Sequence, residues 1–116
     1  MSNELDEFGE LFMREVRDPV IHSAKALLEG ALKAPSLQEL QDKLTAVGHR
    51  ETLEEYGVKI ANEAIFKVLW FFVENEKYRL IGPSGDNLAE LSDGLHGEIF
   101  TEDGWIARFS EDKRGM

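Results

Sequence analysis

The sequence predicts an α+β fold in a single domain spanning residues 1–116, with four helices followed by a small antiparallel β-meander packed on the last of them. Three observations lead there. Apolar residues recur at three- and four-residue steps as far as about residue 76, the period of one helix face. From residue 78 the chain changes to short runs divided by Gly, Pro, Asn and Asp, the punctuation of hairpins. A chain of 116 residues, 42% hydrophobic and 31% charged, has enough length for one core and too little for two domains. Helices first and strands afterwards is the α+β order.

The elements follow in turn. Ser2 can cap a first helix over about 3–17, in which Leu5, Phe8, Leu11, Phe12 and Val16 form the apolar stripe and acidic residues occupy the first turns. Asp18-Pro19 marks a kink or a restart, because proline fits the first turn of a helix and breaks its middle. The second helix, about 19–33, carries Val20, Ile21, Ala24, Leu27, Leu28, Ala31 and Leu32 and ends before Pro35. Ser36 and Glu39 read as a capping box for a third helix over 37–47, closed by Gly48. Thr52 and Glu55 repeat that signal for a fourth, over 53–76. Its continuous face is Leu53, Tyr56, Ile60, Ala61, Ala64, Ile65, Val68, Leu69 and Phe72. Phe66, Trp70, Phe71 and Val73 add apolar surface on its other sides, so this helix is central or lies at an interface. Over 78–110, Asp93-Gly94 and Asp103-Gly104 are hairpin-turn dipeptides, and Trp105, Ala107 and Phe109 alternate as one face of a strand.

Thirteen basic against 23 acidic residues give a net charge of −10, which repels nucleic-acid phosphate and anionic lipid and favours a basic protein partner. Residues 19–50 alone escape the acidity. The helices at 19–33 and 37–47 could form a helix-turn-helix presenting Gln38, Gln41, Lys43 and Thr45, but Glu39 and Asp42 share that helix and no Arg lies in it. A plain helical hairpin is the expectation, with no nucleic-acid partner. The absence of cysteine excludes disulfides, thiolate metal sites and cysteine nucleophiles. With no leader-like start and no apolar run long enough to span a bilayer, a cytoplasmic protein without a membrane partner is expected.

The densest polar cluster is Ser92-Asp93-Gly94-Leu95-His96-Gly97-Glu98, followed by Thr101-Glu102-Asp103-Gly104-Trp105. In a regular strand His96 and Glu98 would share a face, and an imidazole beside a carboxylate is the smallest general-base or metal-binding kit. The other reading is a solvent-facing hairpin whose Asp-Gly corners serve its turns. Zinc-deaminase, nucleophile-elbow, phosphate-loop, EF-hand and H-E-x-x-H signatures are all missing. His22 and His49 stand apart from the cluster as structural residues. Asp93, His96, Glu98, Asp103 and Trp105 are therefore the candidate binding residues, with no catalytic residue, metal ligand or cofactor assigned.

Val16-Arg17-Asp18 and the run from Ser92 to Glu98 and on from Thr101 to Ser110 resemble a small bacterial family of domains with no assigned activity. The resemblance covers about a third of the chain. It implies bacterial origin and a shared fold, and it transfers no functional residue.

Two functions are carried forward. The first is a non-catalytic, acidic protein-binding module of the immunity, antitoxin or adaptor kind, steered to a basic partner and anchored by an exposed Trp70 or Trp105. The alternative is a small enzyme or metal-binding protein using His96 with Asp93, Glu98 or Asp103. A homodimer through Phe66, Trp70 and Val73 would account for the surplus apolar surface of the fourth helix.

Overall fold

The computed structural model describes residues 3–115 and is helical where it is regular. Five α-helices can be labelled in chain order: α1 (Glu4–Phe12), α2 (Asp18–Glu29), α3 (Pro35–Val47), α4 (Arg50–Glu74) and α5 (Trp105–Phe109). A π-helical turn, Met13–Arg17, joins α1 to α2, and two 3₁₀ turns, Leu88–Leu91 and Leu95–Glu98, lie between α4 and α5. The expected cap Ser2 lies outside the described residues. Asn3 caps α1 instead, its side chain accepting from the Asp6 amide at 2.8 Å.

Proline at position 19 does not break the chain. The backbone remains helical from α1 through the π turn into α2, and the wider π turn accommodates residues 13–17, which place Met13 and Arg17 in the interior. α2 stops at Glu29, earlier than its apolar stripe suggests, because Gly30 takes the left-handed conformation at φ 69°. Neither capping box operates. α3 starts at Pro35 after an uncapped Ala34, and α4 starts at Arg50 after His49, at φ 53°. The α2–α3 corner is held by Gln41, which is buried and pairs through both amide atoms with the backbone of Leu32 at 2.8 and 2.9 Å, while Gln38 donates to the same carbonyl. Two of the four residues that might have read bases thus hold the hairpin together.

The β-meander expected over 78–110 is absent, and the fold is helical, not α+β. Among the described residues the only β pairing is an isolated bridge between Ile81 and Asn87. The reason lies in the two Asp-Gly dipeptides. A type I′ hairpin corner needs positive φ, yet Gly94 is extended at φ 170° and Gly104 sits at φ −80°. Gly104 is required by a close approach, since a Cβ there would come within 2.6 Å of the Glu98 carbonyl oxygen. Beyond it the chain turns helical, so Trp105 and Ile106 are buried together and no alternation survives.

The main core joins Met13, Ile65, Leu69, Leu95, Ile99, Trp105 and Ile106, with Phe8, Phe12, Val73 and Phe109 packed around it. Ile21, Val58 and Ala61 form a second cluster between α2 and α4. α4 therefore buries Val58, Ala61, Ile65 and Leu69, and the other half of its expected face, Tyr56, Ile60, Ala64 and Val68, is exposed. The turn at 95–100 covers part of the surplus apolar side: Phe66 meets Phe100 and His96 and Val73 enters the core, while Trp70 and Phe71 remain partly exposed.

Candidate functional site

The residues singled out from sequence do not converge. Trp105 is fully buried, against Phe8 and Gly9, and is no surface anchor. His96 lies edge-on to Trp70 and Phe66, with ring centroids 4.5 and 5.1 Å away, and its buried Nδ1 has no hydrogen-bond partner. Glu98, which a strand would have put beside it, accepts from the Ser92 hydroxyl at 2.7 Å, because a 3₁₀ turn of about three residues sends side chains two apart in different directions. Asp93 and Asp103 are exposed. Trp70 remains 39% exposed and is the aromatic that reaches the surface here. Among the described residues no three His, Asp or Glu side chains are grouped to hold a metal ion.

A buried polar network was not anticipated. Arg17, wholly inaccessible, donates from Nε to Asn62 Oδ1 at 2.8 Å, from one terminal nitrogen to Ser110 Oγ at 2.6 Å and to the Asp112 carbonyl, and from the other to the Arg114 carbonyl at 2.6 Å. Ser110 passes a hydrogen bond on to Asp18, which also accepts from the Glu111 amide. Arg114 in turn reaches both Asp112 and, at 2.8 Å, Glu54. Burial lowers the Arg17 pKa against the pull of Asp112 and Asp18. The bonds from Arg114 hold the Asp112 carboxyl at about 2 and raise the Arg114 pKa in return. Asp18, His22, Lys25 and Lys113 line a groove of about 310 Å³ beside this network, with His22 Nε2 2.9 Å from Glu111. Its charges are mutually compensated, which suits a fastening of the C-terminal segment to α2 and α4. The sequence signal for it was Arg17-Asp18, a charged pair on a helix that buries that very turn.

The acidic surface is concentrated elsewhere. From Glu74 through Gly104 there are eight acidic residues and two basic ones, and among the described residues none of the eight is in an ion pair. Two of them, Glu76 and Glu90, line a groove of about 280 Å³ where the end of α4 meets the 3₁₀ turn at 88–91. Phe72, Val73 and Ala89 supply its apolar walls, and Arg79 is the one cation on its lining. Such a groove offers carboxylates for a cationic head and apolar surface for the methylene stem behind it. No helix of the described residues is long and apolar enough to cross a membrane.

No protein-family model, curated protein or solved structure matches this chain.

Proposed function

We propose that the chain is a non-catalytic, acidic protein-binding module of the immunity, antitoxin or adaptor kind in a bacterial cytoplasm, and that it engages a basic protein through the groove between α4 and the 88–91 turn. The supporting observation is that groove: Glu76 and Glu90 over the apolar walls of Phe72, Val73 and Ala89, in the stretch of chain where carboxylates outnumber cations four to one. A lysine or arginine side chain is complementary to both parts at once. The sign of the net charge adds long-range steering toward such a partner.

The test is titration calorimetry with a synthetic Lys/Arg-rich peptide as probe. Glu76→Gln with Glu90→Gln is expected to weaken binding about tenfold, the loss of a charge-assisted contact at two points. Asp93→Asn with Asp103→Asn removes as much charge outside the groove and is expected to change it less than twofold. Equal losses in the two variants would reduce the effect to net charge, and no loss in either would remove the groove from the function.

A further inference from the structure

We infer that the exposed face of α4 is a self-association surface, along which two copies of this chain pair antiparallel about a two-fold axis at the level of residues 61 and 62. Tyr56, Ile60, Ala64 and Val68 lie on one row of the helix at four-residue steps, and Phe71 continues it. The row is open: Tyr56 is 66%, Ile60 50%, Val68 48% and Phe71 45% accessible. α2 and the 95–98 turn pack on other sides of α4, and α3 packs on α2. This seam is distinct from the Phe66 and Val73 side, which the chain covers for itself.

Charge says what occupies the face. Alongside the apolar row runs a second one, Glu55, Lys59, Glu63 and Lys67, with alternating sign at four-residue steps. In an antiparallel helix pair the same edge of each helix meets its counterpart, so this row runs against itself in reverse. Lys59 then faces Glu63 of the second copy, and Glu55 faces Lys67, each pairing occurring twice by symmetry. The same placement sets Ile60 over Ala64 and Tyr56 over Val68. In a parallel pair the charged row would meet the opposite edge, where Gly57 is turned to Ala24 of α2 and no charge answers. The surface is complementary to itself in one orientation only, which selects a second copy over a foreign partner. The interface uses neither Glu76 nor Glu90, so it stands apart from the proposed basic-partner groove.

Sedimentation equilibrium of the full chain, from micromolar to millimolar concentration, is expected to show a dimer. Ile60→Lys, at a half-exposed position, should give a monomer with unchanged circular dichroism and melting. Lys59→Glu should weaken the dimer at least fivefold, and adding Glu63→Lys should restore it. Because the chain has no cysteine, Glu51→Cys accepts a spin label at one place. Antiparallel pairing predicts labels about 30 Å apart, from a rise of about 1.5 Å per residue, where a parallel pair would bring them to about 10 Å. A monomer at every concentration, a dimer that survives Ile60→Lys, or the short separation would overturn the inference.

Discussion

Gly9 and Trp105 touch so closely that a Cβ on Gly9 would lie 2.3 Å from the indole ring. The ring has no room to retreat, since Trp105 is wholly buried and Phe8 packs against it edge-on with centroids 5.8 Å apart. Gly9→Ala sets two effects against each other. Alanine is favoured in a helix by about 1 kcal/mol, while overpacking a core costs about 1 to 3 kcal/mol. The contact is well inside any relaxed separation, so packing wins, and urea unfolding is expected to show a net loss. A gain in stability would mean that Trp105 can move aside.

Arg17→Met should be far more damaging. It leaves the Asn62 oxygen, the Ser110 hydroxyl and the carbonyls of Asp112 and Arg114 without their donor, and breaking a buried charged network costs about 3 to 5 kcal/mol. Arg17→Lys should recover little of it, because a single ammonium cannot reach acceptors spread around the edge of a planar guanidinium. Hydrogen exchange in residues 110–115 should rise in both variants, and protection equal to that of the parent would refute the role assigned to Arg17.

Asp112 makes stability depend on acid. Its folded pKa of about 2 lies below the ordinary carboxylate value of about 3.9. The contribution, on the order of 2 kcal/mol, is present above the unfolded value and is lost as pH falls through about 2. Asp6, held down chiefly by its hydrogen bond from Arg108, acts in the same direction. Asp112→Asn should flatten the fall in unfolding free energy between about pH 4 and 2. An unchanged slope would show that other carboxyls carry the acid response.

His96→Leu should be neutral or stabilising. The imidazole has a buried nitrogen without a partner and aromatic neighbours on two sides, and replacing an unsatisfied polar group by an apolar one of similar volume costs little. Affinity for the basic peptide should not change either. A loss above about 1 kcal/mol, or weaker peptide binding, would return His96 to the list of working residues.

The helical part of the fold was legible because its determinants are local. Apolar spacing located every long helix, and only the ends moved, where Gly30 stopped α2 early and His49 started α4 early. What escaped was any feature fixed by distant contacts. Asp-Gly looks the same in a hairpin corner and in the extended turn before a 3₁₀ segment, and only packing against Trp70 and the Glu98 carbonyl decides between them. Tyr56, Ile60, Ala64 and Val68 fit an inward stripe as well as Val58, Ala61, Ile65 and Leu69 do, and the position of α2 and the C-terminal segment settles which is inside. The expected grouping of His96 with Glu98 is not formed, for the same reason. Its residues were neighbours in sequence, and a 3₁₀ turn separates what a strand would have aligned.

The setting of Arg17 has a consequence for how the chain acquires its structure while it is being made. All its partners except Asn62 come from residues 110–114, up to 97 positions later. A nascent chain that already contains α1 to α4 therefore carries a guanidinium in a half-built interior, with Leu69 and Met13 still lacking Trp105 and Ile106 above them. Desolvating that cation is unfavourable until residues 110–114 emerge and deliver its acceptors. Long-range closure of this kind is slow and comes late. Until it happens the surfaces of Met13 and Leu69 that Trp105 and Ile106 cover in the finished core lack that cover, the kind of transient apolar exposure that chaperones and proteases act on.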